Sequence, residues 1–131
     1  MFKEVLIIII IIFFIVGSNF FLQNYLKSSS EEFIVKLEDI ATDLIKKGEN
    51  IDYNDLNKRI SDIEQRWYEE EKLWMLLLLH SDLDEIDMGF KKIYGYIDLK
   101  NFEGVYRSVK ETKFLIEYIV EKDNFTIKNI F

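Results

Sequence analysis

The chain contains no cysteine and no proline. Without cysteine there is no disulfide, no thiolate metal site, no thiol nucleophile and no lipid-modified N-terminal cysteine. This fits export in an organism that does not use disulfides, and it fits the cytosol equally. Without proline, no helix is broken by a ring. His80 is the only histidine, so a His-x-x-x-His metal pair cannot occur. The five glycines are scattered, which leaves no glycine-rich phosphate loop. A basic stripe is also missing: 24 acids against 17 bases give a net charge of −7. Such a chain is a poor nucleic-acid ligand, because that affinity comes mostly from Lys and Arg on phosphates. Its acidity also argues against a domain lying along an anionic lipid surface.

What is present begins at the N-terminus. Val5 to Val16 is an unbroken apolar run: Val-Leu, six Ile, Phe-Phe, Ile-Val. Gly17, Ser18 and Asn19 interrupt it, and Phe20, Phe21 and Leu22 resume it. The 18 residues from Val5 to Leu22 would make a helix of roughly 27 Å, just enough for a hydrocarbon core of about 30 Å. No charge lies between Glu4 and Lys27. The lipid bilayer is therefore the expected partner of residues 5–22.

A cleaved signal peptide is the alternative. Lys3, the apolar stretch and a small-residue site at Val16-Gly17-Ser18 fit it in part. Against it, apolar character continues through Phe20-Phe21-Leu22, and no Ala-x-Ala is present. The short head with Lys3 favours an N-terminus inside the cell and a C-terminal domain outside, although Lys27 weakens the asymmetry. The expected location is a cell membrane, crossed once.

The chain divides into a stub, anchor and juxtamembrane segment (1–27) and an acidic domain (28–131). The latter has 104 residues, enough for one real core. The composition, 49% hydrophobic and 15% aromatic, is far from that of disorder.

Four stripes of helical period cross the domain. Ser28-Ser29-Ser30 before Glu31-Glu32 predicts a capping-box helix start. Phe33, Leu37, Ile40 and Leu44 follow, and Gly48 after Lys46-Lys47 is the expected stop. Asp52 is the expected cap of a second helix carrying Leu56, Ile60, Ile63, Trp67 and Trp74 and running toward His80. Ser81 is expected to cap a third, with Leu83, Ile86, Phe90, Ile93 and Ile97; a kinked run-on from the second helix is the alternative. After a turn at Leu99-Lys100-Asn101, the fourth carries Phe102, Val105, Val109, Thr112, Ile116 and Ile119. The tail from Lys122 to Phe131 is expected to be irregular and to dock through Phe125, Ile127, Ile130 and Phe131.

Short connections make such helices antiparallel neighbours. The expected fold is all-α: an N-terminal transmembrane helix, then an antiparallel four-helix domain of two hairpins. A weak repeat relates residues 53–60 to residues 102–109, each aromatic-x-x-aliphatic-x-x-x-aliphatic. Any amphipathic helix can show that pattern.

Several features could carry function, and each has a plainer reading. Leu73 to Leu79 is apolar on every face of a helix, so it is a buried centre covered by the tail, or a binding or membrane-contacting patch. Trp67 and Trp74, seven apart, share a helix face as core filling or as an aromatic platform. His80 precedes Asp82, Asp84, Glu85 and Asp87, which suggests a divalent-metal or acid–base site. Carboxylates at a helix start also serve backbone amides and the dipole. Glu69-Glu70-Glu71-Lys72 is a solvated helix face or an acidic docking stripe. Trp67, Trp74, Met75, His80, Asp82 and Asp84 together form the candidate partner or ligand patch. No nucleophile constellation marks an enzyme, and no catalytic residue, cofactor or metal is assigned.

The order of landmarks carries a resemblance. It runs from the N-terminal span through Trp67 and Trp74 to His80-Ser81-x-Leu83-Asp84-x-Ile86 and the Tyr96-Ile97 helix end. Lys113-Phe114-Leu115-x-x-Tyr118-Ile119 and a closing Asn129-Ile130-Phe131 complete it. Over nearly its whole length the chain resembles a family of short, single-span bacterial proteins described as a domain of unknown function. The resemblance implies the anchor and the helical domain, and it assigns no activity. Taken together, these readings point to a non-enzymatic interaction module of the bacterial envelope. Its expected partner is another envelope protein or a second copy; the alternative is a ligand- or metal-binding domain around His80.

Overall fold

A computed structural model of the chain describes residues 1–130, with side chains through Lys122. Four α-helices follow one another: α1 (Phe2–Lys47), α2 (Tyr53–Trp74), α3 (His80–Asp98) and α4 (Phe102–Ile130), with one 3-10 turn (Gly48–Asn50) between the first two. No strand occurs among the described residues.

The packing follows from the stripes. Phe33, Leu37, Ile40 and Leu44 of α1, and Leu56, Ile60, Ile63, Trp67 and Trp74 of α2, are all buried. So are all five stripe residues of α3 and, on α4, Val105, Val109, Ile116 and Ile119. Thr112 joins them because its hydroxyl donates to the Ser108 carbonyl 2.8 Å away and leaves no polar group unsatisfied. α4 packs between α1 and α3, and α2 closes the ring between the same two helices. The two hairpins thus form a closed antiparallel bundle around one core.

Local signals set several boundaries. Gly48 ends α1 at φ 53°, where its lack of a Cβ removes the left-handed penalty, and its N–H returns to the Leu44 carbonyl. Asp52 caps α2 by accepting from the N–H groups of Asn54 and Asp55. Asn101 performs the same task for α4 by accepting from Gly104 N–H at 3.0 Å. The octets 53–60 and 102–109 therefore each open a helix behind a side-chain cap.

Three boundaries differ from the sequence expectation. Ser28-Ser29-Ser30 starts nothing: α1 runs unbroken for 46 residues through the 27/28 boundary. A continuous helix upstream already supplies carbonyls for those amides, so there is no orphan donor to cap. Ser30 instead donates to the Lys27 carbonyl, Ser29 faces α2, and Leu26 joins the core. Second, α2 stops at Trp74, the last residue its stripe can bury; the chain tightens through i→i−3 bonds at Leu76 and Leu77 and extends at Leu79. Ser81 is consequently not the cap, because Leu79 holds that position and His80 is already helical. Third, the expected irregular tail is helical to Ile130, as a segment without proline or glycine can be when it continues an amphipathic helix. Docking by Phe125, Ile127, Ile130 and Phe131 lies outside the described side chains.

Candidate functional site

The patch predicted around the α2–α3 junction separates into a buried part and an exposed part. Trp67 and Trp74 are fully buried. They meet edge-to-face with ring centroids 5.1 Å apart, and Phe33 of α1 meets each edge-on at 5.9 and 6.3 Å. Both indole N–H groups are taken. Trp67 donates to the Asp87 carboxylate at 2.7 Å, and Trp74 donates to the Ser29 hydroxyl at 3.1 Å. The tryptophans therefore tie α2 to α3 and to α1, and offer no open platform.

His80 is exposed at the first position of α3. Asp82 pairs with Lys122 of α4 at 3.7 Å, and Asp84 is exposed. With Trp74 in the core and His80 in solvent, these groups do not share a pocket. Among the described residues no group of three or more His, Asp or Glu side chains is placed to hold a metal ion.

The apolar run is the exposed part. Leu73, Met75, Leu76 and Leu79 are exposed, with Leu76 at 80%; only Leu77 and Leu78 are half-buried. Trp74 is the only fully buried member of the run; from Met75 on the segment is a turn rather than a helix enclosed by neighbours, so the expected buried centre does not extend past it.

Beside it lies one perturbed carboxyl. Glu71 is pushed up to about 7, mainly by burial and then by Asp87, which shares a hydrogen bond with it, and by the nearby charge of Asp84. Tyr94 is raised to about 12 by burial and by Glu64, whose carboxylate accepts from its hydroxyl at 3.2 Å. Elsewhere carboxylates are held low by cations. Lys113 and Lys110 lower Glu38 across the α1–α4 seam, and Arg59 lowers Asp43 across α1–α2. Glu32 is lowered chiefly by Lys36, with Arg66 of α2 adding to the effect. The perturbed groups mostly join helices and do not surround a cleft.

Sequence reasoning missed a groove between α1 and α4. It has a volume of about 570 Å³ and is lined by Leu44, Ile45, Phe102, Tyr106, Lys110 and Phe114, among others. Ile45 and Phe114 are exposed, and the ammonium groups of Lys110 and Lys113 stand 5.5 and 5.2 Å from the Phe114 ring centre. The off-stripe apolar residues Ile45 and Phe114 were the available signal, but only the pairing of α1 with α4 brings them together.

A closed helical bundle, one of whose helices extends far beyond it as an exposed apolar stalk, is the class that these observations define. The chain belongs to the family of the domain of unknown function DUF4363, whose family model matches residues 20–130. No curated protein and no solved structure matches it.

Proposed function

We propose that this is a single-pass membrane protein of the bacterial envelope, whose bundle is a non-enzymatic interaction module. The observation that carries the reading is α1 itself. Every side chain from Val5 to Val16 is exposed, and the segment is long and apolar enough to cross a bilayer. The same helix continues without a break into the bundle core. Exposed isoleucine on all faces is costly in water and ordinary in hydrocarbon. A rigid helix entering the core would hold the domain at a fixed height above the bilayer. Lys3, just before the apolar segment, favours the outer face for that domain. The α1–α4 groove is the surface for an envelope protein or a second copy, since it presents the exposed apolar groups Ile45 and Phe114 among charged side chains of both signs, away from the stalk. The alternative centred on His80 has no converging side chains among the described residues to support it.

The test uses intact cells. A phosphatase reporter that is active only outside the cytoplasm is fused after Phe131, and membranes are washed in alkaline carbonate. An active reporter and a carbonate-resistant chain are expected. A single cysteine at Ile45→Cys then probes the groove by oxidative or bifunctional cross-linking. An adduct of defined mass, with a second copy or another membrane protein, is expected. A carbonate-soluble chain overturns the anchor, an inactive reporter reverses the orientation, and an uncrosslinked monomer removes the groove's role.

A further inference from the structure

We infer that the end of α2 and the α2–α3 turn, Leu73 and residues 75–79, are a second membrane contact, with their exposed leucines immersed in the interfacial layer of the bilayer that α1 crosses. The inference rests on the membrane-span reading and adds a lipid-binding surface to it. The height of the turn supports it. α2 descends antiparallel to α1, with cross-links in falling register: Arg59 to Asp43, Arg66 to Glu32, and Glu70 to the hydroxyl of Tyr25. Trp74 is fastened to Ser29. The residues that follow Trp74 are therefore level with the Leu22–Leu26 turn of α1. About 6 Å of helix rise separates Leu26 from Leu22, the end of the apolar segment. Headgroup layers bring a bilayer from about 30 Å of hydrocarbon to about 40–45 Å in all, so this level lies within the interface.

The chemistry of the turn fits that depth. Leu73, Met75, Leu76 and Leu79 are 50%, 42%, 80% and 62% exposed. From Leu73 through Leu79 there is no charge, while Lys72 stands at one end and His80 at the other. Such a surface in water is a liability, whereas interfacial elements immerse apolar groups about 5–10 Å into the headgroup–acyl boundary. The opposite end of the bundle differs: its α3–α4 turn, Leu99-Lys100-Asn101, places one exposed leucine beside a lysine. The acidic faces of the domain stay in water, and the uncharged turn is the surface that enters the interface.

The absence of native cysteine makes the test direct. Full-length chains carrying Leu76→Cys, Leu99→Cys or Phe13→Cys are labelled with a polarity-sensitive fluorophore and reconstituted in neutral phosphatidylcholine vesicles. Nitroxide-bearing lipids and aqueous iodide serve as opposed quenchers. The label at Leu76 is expected to shift to the blue and to lose at least half its emission to a nitroxide near the headgroup end of the acyl chain. Iodide should scarcely affect it, and the label at Leu99 should show the reverse. Should the Phe13 label escape deep nitroxides, the span reading fails and this inference with it. If Phe13 is quenched while Leu76 behaves like Leu99, only the second contact is overturned. A Leu76 label shielded from both quenchers overturns it as well, by showing that protein covers the turn.

Discussion

Two stretches of α1 show how one helix can be written for two solvents. From Val5 to Val16 every side chain is apolar and every one is exposed. From Leu26 to Leu44 the apolar residues Leu26, Phe33, Leu37, Ile40 and Leu44 are buried to within 1%, while Lys36, Asp39 and Thr42 face water. The backbone is the same throughout; only the angular distribution of apolar groups changes. A stripe needs a partner on one side, and the bundle supplies it. A girdle needs apolar surroundings on all sides, and none of the described side chains supplies them. The proposed span completes the first stretch outside the molecule, and the bundle completes the second within it.

The contrast is broken most forcefully by charging the girdle. Ile10→Arg with Phe13→Arg should cost about 5–7 kcal/mol of insertion, from about 2.5–3.5 kcal/mol per central arginine. Carbonate extraction should move the protein from pellet to supernatant, while the melting temperature of the bundle stays put. If both change together, the two stretches are not independent. The reciprocal change is Trp67→Ala. It removes a fully buried ring, its contacts with Phe33 and Trp74, and the donor to Asp87. A loss of about 3–5 kcal/mol in denaturant unfolding is expected, with membrane retention unchanged.

A smaller effect probes how closely the bundle helices approach. A Cβ at Gly104 would overlap the ring of Tyr96 on α3. Gly104→Ala should therefore cost about 1–3 kcal/mol through displacement of that ring, despite its better helix propensity. Combining it with Tyr96→Ala should recover most of the overlap cost in a double-mutant cycle. An additive pair would disprove the clash.

The smallest expected effect is electrostatic. Glu71 is pushed up to about 7 from an ordinary value of 4.5 by burial and then by Asp87 and Asp84. Between those values the folded chain holds more of its proton than the unfolded chain does, so stability falls as pH rises through this window. After discounting for the solvent exposure of the group, the loss between pH 5 and pH 8 is about 1 kcal/mol. Glu71→Gln should flatten that slope and raise stability at pH 8. Glu38, Glu32 and Asp43 act in the opposite sense at lower pH: their depressed values favour the fold above the ordinary carboxylate range, and that contribution disappears in acid. An unchanged slope in the Glu71→Gln variant would mean that another group titrates there.

Much of the fold was legible because helices are local. The period of Leu56, Ile60, Ile63 and Trp67 predicts a buried stripe without reference to any partner, and so does that of Leu83, Ile86 and Phe90. Gly48 and Asp52 mark their boundaries by conformations and hydrogen bonds that span only a few residues. The apolar segment needed only its length and the absence of charge. The candidate site was far less legible. Trp67 and Trp74 stood out by residue type, but type does not tell a buried ring from an exposed one. Met75 and the leucines stood out as a run, but whether a run is enclosed depends on what lies across from it.

The sequence by itself determined four amphipathic stripes, the faces they bury, and one segment long and apolar enough to cross a bilayer. Tertiary structure alone decided that α1 continues through Ser28-Ser29-Ser30, that α2 ends at Trp74, and that the leucines beyond it stand level with Leu22–Leu26. It also decided that Ile45 and Phe114 share a groove. The physical reason is range. Helix hydrogen bonds and caps close within about four residues, whereas the end of a helix and the height of a turn are set by contacts such as Trp74 with Ser29, whose partners lie 45 residues apart.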